Sequence, residues 1–177
     1  MSISTQYVGD LSGMSPDERR MFYGDSTYRS APVASLLWGG PNWSPPTGFH
    51  RLLPNSQGRL YPMGDAHSMV RNEYALNSIC FEIPVSGRWG IYILQAFGTS
   101  STVHRSAGLS TSDRSADNRV AWADTSIGRF AQSYTEVFLS EGDRLYPWVF
   151  VGAGGANLTA SDSGLQTEYS VRFLRGD

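Results

Sequence analysis

Apolar and polar residues alternate over several short stretches in the second half of the chain. In VFLSEGDRLYPWVFVG, residues 137–152, two apolar runs flank the polar turn 140–144. Side chains of a strand point alternately to its two faces. One face of the second run is therefore aliphatic, and the other carries three rings: Tyr146, Trp148 and Phe150. Since covering a single core takes one apolar face, we expect the aromatic face to contact a second surface.

The same period of two predicts strands throughout the second half. The segments are 79–85, 89–97, 120–122, 135–139, 145–151 and 169–174. They are short, turn residues separate them, and no helical pattern lies between them. This arrangement predicts an all-β protein, an antiparallel jelly-roll sandwich over residues 56–177.

Residues 1–55 have a different pattern, which predicts an extended N-terminal arm. It contains one short helix signal, with Ser15 as N-cap, Pro16 at the first helical position and Glu18 completing a capping box. The stretch 30–55 is rich in Pro, Gly and Trp, and its prolines disfavour a central strand. Its apolar side chains are expected to dock: Leu36, Leu37, Trp38, Trp43 and Phe49. The docking surface is this chain's own domain, a sister subunit or a larger assembly.

Composition excludes several classes of function. The chain has 177 residues and a net charge of −2, without the basic stripe expected of a nucleic-acid-binding protein. The sequence contains no run of about 20 apolar residues, so it predicts no membrane-spanning helix. The first residues, MSISTQYVGDLSG, lack the basic start and apolar core of a secretory signal, so we expect synthesis in a cytoplasm. All fourteen basic residues are Arg, which we interpret as the codon bias of a GC-rich genome.

No set of residues predicts catalysis, a metal site or a cofactor. There is one cysteine, and the three histidines have no ligand spacing. The sequence contains neither a GxSxG nucleophile motif nor the HxH pair of a cupin. Asp113, Asp117 and Asp124 are interpreted as a solvated acidic loop rather than a calcium site, because their spacing fits no standard calcium loop.

Two segments resemble the tumour-necrosis-factor-like jelly rolls, in particular the globular heads of complement recognition proteins. In IPVSGRWGIYILQAF, residues 83–97, an apolar strand, Pro84 and a Gly87 turn precede an aromatic strand that contains Gly90 and Tyr92. The stretch EYSVRFLRGD resembles the closing strand of that fold. The polar loop 98–119 is longer than the family pattern.

The resemblance implies a homotrimer that packs around a threefold axis through an aromatic sheet face. On this interpretation the interface residues are Tyr92, Leu94, Tyr146, Trp148 and Phe150. The alternative is that the aromatic rings of 145–151 lie under the N-terminal arm of the same subunit.

These features favour a non-enzymatic phage virion protein, made in the host cytoplasm and associated with the tail tip or fibre. Its partners would be other virion proteins, either tail proteins or the major capsid protein, and a host surface glycan. The glycan would meet the polar loops 98–119 and 152–164, at residues His104, Arg105, Asp113, Asp117 and Asn157. Trp122 is assigned to the core in preference to sugar stacking. The alternatives are a capsid decoration protein, a small sugar-active enzyme and a host binding module.

Overall fold

The computed structural model describes residues 32–39, 42–52, 60–63, 69–73, 78–98, 103–111, 118–126, 128–153, 158–159, 161–162 and 165–176. These residues form strands and turns, with no α-helix among them. The strands are β1 (Val33–Trp38), β2 (Gly48–Arg51), β3 (Leu60–Met63), β4 (Val70–Glu73), β5 (Ser78–Glu82), β6 (Gly87–Ala96), β7 (Arg105–Ser110), β8 (Arg119–Thr125), β9 (Phe130–Leu139), β10 (Arg144–Val151), β11 (Ser161–Asp162), β12 (Leu165–Gln166) and β13 (Glu168–Arg175).

Two antiparallel sheets hold most of these strands. The five-stranded sheet has the order β3-β1-β13-β6-β9. The six-stranded sheet has the order β4-β5-β10-β7-β8, and β2 pairs with β10 beside β5. Consecutive strands often lie in different sheets, which is the connectivity of a jelly roll. The predicted all-β antiparallel jelly-roll sandwich is therefore confirmed.

The core lies between the inner faces of the two sheets. Aromatic and aliphatic side chains fill it, and the large ones that are fully buried include Trp38, Trp89, Phe81, Phe97, Leu36 and Ile79. Strand β9 shows the pattern most simply: alternate residues from Ala131 to Leu139 face inward, and those between them face solvent. Cys80 is buried beside this core.

One buried polar network crosses the core. The Tyr169 hydroxyl donates to Gln95 Oε1 at 2.9 Å, and Gln95 Nε2 donates to Thr167 Oγ1 at 3.3 Å. Thr167 Oγ1 in turn donates to the carbonyl of Thr159 at 2.8 Å. Burial raises the pKa of Tyr169 well above its usual value, because the phenolate would lose its hydration.

The described residues of the N-terminal arm lie on this chain's own domain. Strand β1 pairs with β13 and β3 in the five-stranded sheet, and β2 pairs with β10 in the other sheet. Trp43 forms a bridge to Leu158 and stacks on Trp38 at 6.3 Å between ring centres. The expected helix at residues 15–23 lies outside the described residues. The division at residue 55 stays a prediction, although the sheets draw strands from both sides of it.

Residues 105–110 form a strand where the sequence pattern predicts a polar loop. Strand β7 runs between β10 and β8, and all six of its residues are buried. Its small residues have weak strand propensity. Pairing on both edges overrides that preference, and the Trp148 ring lies where a side chain on Gly108 would have to fit.

Candidate functional site

Exposed large apolar side chains are concentrated in the five-stranded sheet. Among the described residues six such side chains are exposed, and five belong to strands of this sheet: Val33, Tyr61, Tyr134, Phe138 and Leu174. Scattered apolar residues are normal on a protein surface, whereas a group on one sheet indicates an interaction surface. The outward face of the five-stranded sheet is therefore the first candidate functional site.

A row of hydroxyl-bearing side chains crosses the middle of this face. Tyr92 on β6 lies opposite Tyr134 on β9 and, on its other side, opposite Ser170 on β13. Ser170 lies opposite Ser35 on β1. Tyr134 is 59% exposed, and Tyr92 is half-buried. Because residues directly opposite each other point to the same face, the row is continuous across four strands.

Hydrogen bonds orient the rings of this row. Gln132 Nε2 donates to the Tyr92 hydroxyl at 3.2 Å, and the Tyr134 hydroxyl donates to Glu136 Oε1 at 3.2 Å. Partial burial, followed by the charge of Glu168, raises the pKa of Tyr92. Partial burial and Glu136 also raise the pKa of Tyr134. Both phenols are therefore neutral around pH 7.

Gly90 makes room for the Tyr134 ring. A Cβ on Gly90 would stand 2.7 Å from the Tyr134 hydroxyl oxygen, so the ring reaches over β6 at this position. Leu94, which the resemblance assigns to the interface together with Tyr92, also lies on β6 and is only 4% exposed. A partner subunit on this face would therefore meet the Tyr134 ring more than Leu94.

The outward face of the six-stranded sheet carries the other three rings of the expected interface. Trp148 lies over Gly108 and is 1% exposed. Phe49 of β2 packs against it at 5.5 Å between ring centres, and the Arg119 guanidinium lies 5.6 Å from its ring centre. Tyr146 is also buried, and Phe150 is half-buried.

These contacts concern the aromatic face of residues 145–151, which the sequence pattern expects to contact a second surface. That these rings meet a partner subunit stays a prediction, but Trp148 is buried without one. Phe49 of β2, a strand within the expected N-terminal arm, packs against this ring from the neighbouring strand of the same sheet. The alternative in which the rings lie under the arm also stays a prediction.

The residues expected in outer loops have different positions. His104 is exposed, and its Nε2 lies 3.0 Å from Ser106 Oγ. Arg105 is fully buried in β7, with its guanidinium 4.6 Å from the Phe97 ring centre and donating to the carbonyl of Gly128. This placement corrects the loop assignment of Arg105, because a buried guanidinium has no surface for an external ligand. Asp113, Asp117 and Asn157 lie outside the described residues.

Trp122 is on the surface, although the sequence pattern assigns it to the core. Its side chain is 46% exposed on the outward face of β8. Its neighbours Ala121 and Ala123 face the core instead. The alternation signal was present in AWA, but the size of Trp122 outweighed it in the sequence-based assignment.

The part of the chain that the structure describes contains no group of three His, Cys, Asp or Glu side chains able to hold a metal ion. Within the same residues no helix is long and apolar enough to cross a membrane. The outward faces of the two sheets present aromatic rings, hydroxyls and a few separated charges.

Comparison with solved structures places the fold among the jelly rolls of the tumour necrosis factor class. Murine APRIL at pH 8.0 is similar with a TM-score of 0.56 and 12% identity, over 82% of this chain and all of that one. Eiger TNF from S. frugiperda is similar with a TM-score of 0.52 and 15% identity, over 84% of this chain and 96% of that one. At this identity the likeness establishes the fold alone. No protein-family model matches the chain, and no curated protein is similar enough to count as a relative.

Proposed function

We propose that the chain is the subunit of a non-enzymatic homotrimer whose copies meet through the outward face of the five-stranded sheet. The observation that carries this proposal is the concentration of exposed large apolar side chains in that sheet, with Tyr134 and Phe138 on its edge strand β9. Burying such a group in a closed oligomer removes apolar surface from water. The resemblance to tumour-necrosis-factor-like jelly rolls supports three copies.

The charge arrangement suits a threefold axis near the tyrosine row. Three copies of one residue surround such an axis, so a charged side chain there would be repelled by its own copies. Tyr92 and Tyr134 are neutral. The charges nearest to them lie one row away: Glu136 on β9 and Arg172 on β13 are opposite Gly90, and Glu168 on β13 is opposite Leu94. This interface keeps Tyr92 and Leu94 of the expected set and leaves the rings of β10 within their own subunit.

A substitution that adds charge to the tyrosine row tests the interface. Tyr134→Arg places three guanidinium groups near the proposed axis, while Glu136 beside it tolerates the change within one subunit. Light scattering should give three times the chain mass of 19.4 kDa for the wild type and one times that mass for Tyr134→Arg. Trp122→Arg is the matched control, since it changes an exposed ring on the other sheet, and it should stay trimeric. A monomeric wild type, or a trimeric Tyr134→Arg variant, would contradict the proposal.

For the biological setting we propose a phage virion, with the trimer at the tail tip or fibre and binding the host surface. Support comes from the sequence: all basic residues are Arg, and the stretch 30–55 is rich in apolar side chains suited to docking. A capsid decoration role is the second candidate. Mass spectrometry of purified particles from the source of the gene tests the setting, and separated heads and tails distinguish the two roles. Particles without peptides of this chain would overturn both.

A further inference from the structure

A second surface, on the opposite sheet, has the features of a ligand-binding site. Trp122 lies on β8, which is the last strand at one side of the six-stranded sheet, and nearly half of its side chain is open to solvent. A large ring costs solvation free energy when it stays exposed. The other exposed large rings of the described residues belong to the five-stranded sheet, so the trimer proposal leaves Trp122 without a cover.

Contacts within the chain hold the indole of Trp122 in place. Its Nε1 donates to Asp124 Oδ2 at 3.1 Å, two residues further along the same face of β8. The Arg119 guanidinium lies 5.8 Å from the Trp122 ring centre and 5.6 Å from that of Trp148. Because Trp148 is buried, it anchors Arg119, which in turn packs against Trp122. A ring that is already ordered loses little conformational entropy when a ligand stacks on it.

Polar groups lie along one side of the ring. The second carboxylate oxygen of Asp124 is 3.7 Å from His104 Nε2, and that nitrogen is 3.0 Å from Ser106 Oγ. The cluster has hydrogen-bond donors in Arg119 and Ser106 and acceptors in Asp124 and Ser106. The positive charge of Arg119 and the negative charge of Asp124 balance, so the cluster favours neither an anion nor a cation.

We propose that Trp122, Asp124, His104 and Arg119 form a binding site for a neutral saccharide. The C–H face of a pyranose ring is weakly positive and packs on the negative face of an aromatic ring, while its hydroxyls take the donors and acceptors at the ring's edge. A nucleic acid would require an excess of positive charge, which the cluster lacks. The saccharide site does not depend on the trimer, and it is on a sheet face rather than in the polar loops.

Titration followed by transverse-relaxation-optimised NMR tests the site through the tryptophan indole N–H signals. The probes are neutral trisaccharides of glucose, galactose and N-acetylglucosamine, with sialyllactose as the anionic probe. The Trp122 signal, identified from its loss in Trp122→Phe, should shift saturably with at least one neutral sugar. In the variants that lack this indole, binding is followed through the backbone amide signals of Ser106 and Asp124. Trp122→Ala should weaken the binding at least about tenfold, and Trp122→Phe should weaken it less because a ring remains. Asp124→Asn should also weaken it, since it removes an acceptor.

Phe138→Ala is the matched control, because Phe138 and Trp122 are both 46% exposed and lie on opposite sheets. Phe138→Ala should bind the sugar with wild-type affinity. A loss of the trimer would not change this result, because the titration measures the affinity of each subunit. The absence of a saturable shift with any neutral sugar would overturn the proposal. Equal affinity in Trp122→Ala, or binding of sialyllactose alone, would also overturn it. The mass of Trp122→Ala from light scattering keeps this outcome separate from the trimer proposal.

Discussion

The outward faces of the two sheets both carry aromatic rings, but a ring is buried on one face and exposed on the other. On the six-stranded sheet Trp148 is covered by Phe49 of β2 and by Arg119, and it is 1% exposed. On the five-stranded sheet Tyr134 lies in the open over Gly90 and is 59% exposed. In both cases a glycine on the neighbouring strand makes room for a ring. The difference is that two side chains of the same face, Phe49 and Arg119, pack against Trp148, whereas the Tyr134 ring stays open to solvent.

This difference indicates where the chain needs a partner. An aromatic outward face can be buried by side chains of its own subunit or by another subunit. The alternation pattern of a single strand is the same in both cases. Strand β2 pairs with β10, and its Phe49 contributes to the burial of Trp148 within the subunit. Substitutions at matched positions on the two faces should therefore separate the folding of the subunit from its assembly.

The largest difference is expected when the ring itself is removed. Trp148→Ala should lower the free energy of unfolding by about 3–5 kcal/mol, because it leaves a cavity under Phe49. Tyr134→Ala should change the stability of the subunit by less than about 1 kcal/mol, since its ring is exposed, but it should weaken the trimer. Urea unfolding of both variants at several protein concentrations measures the two effects, because only the contribution of the trimer depends on concentration. Equal losses in the two variants would contradict the distinction between a covered face and an open one.

A smaller difference is expected at the two glycines under the rings. A methyl group on Gly108 would overlap the buried Trp148 ring and stand 2.6 Å from the Ala121 carbonyl oxygen, neither of which can move away. Gly108→Ala should therefore cost about 1–3 kcal/mol of unfolding free energy.

The nearest atoms to the methyl group of Gly90→Ala would all belong to the exposed Tyr134 ring, which can rotate away. Its cost should stay below about 1 kcal/mol, because alanine also lowers the entropy of the unfolded chain. Thermal unfolding of both variants measures this pair. A Gly90→Ala variant that is as unstable as Gly108→Ala would show that Tyr134 is held as rigidly as Trp148.

The smallest effect is expected at two tyrosines of the five-stranded sheet, the buried Tyr169 and the exposed Tyr134. The folded-state pKa of Tyr169 is raised well above the unfolded value, so its contribution is fully present below about pH 10 and falls as pH rises further. The slope contributed by one such group reaches at most about 1.4 kcal/mol per pH unit.

Tyr169→Phe should remove this part of the pH dependence, at a cost of about 0.5–1.5 kcal/mol at neutral pH for the lost hydrogen bond to Gln95. Tyr134→Phe is the control and should leave the alkaline slope nearly unchanged. Urea midpoints measured from neutral pH into the alkaline range test this. An unchanged slope in Tyr169→Phe would contradict the effect of burial.

The strands of the second half of the chain could be predicted from the sequence. In β6, β9, β10 and β13 large apolar residues alternate, and the two sheets pack along the faces that the alternation defines. The strands of the first half were not predicted, because only local sequence features were available for them. Prolines mark the end of β1 and the start of β2, but pairing with β13 and β10 depends on residues far away in the sequence.

The sites were harder to predict than the strands. The residues around Arg105 have a composition typical of a loop. The burial of its guanidinium depends on contacts with Phe97 and Gly128, and no local sequence pattern connects those residues to Arg105. Trp122 points outward because it alternates with Ala121 and Ala123, which face the core. Sequence reasoning gave the size of this ring more weight than the alternation.

The pairing of β1 with β13 sets a constraint on synthesis. In the five-stranded sheet β13 separates β1 from β6, so the last described strand to leave the ribosome fills the space between two earlier ones. Until it arrives, β1 and β6 each present an unpaired edge to solvent, and such edges invite pairing with other nascent chains. Closure of this sheet therefore waits for β13, and a ribosome that stalls before residue 168 holds a chain with both edges open.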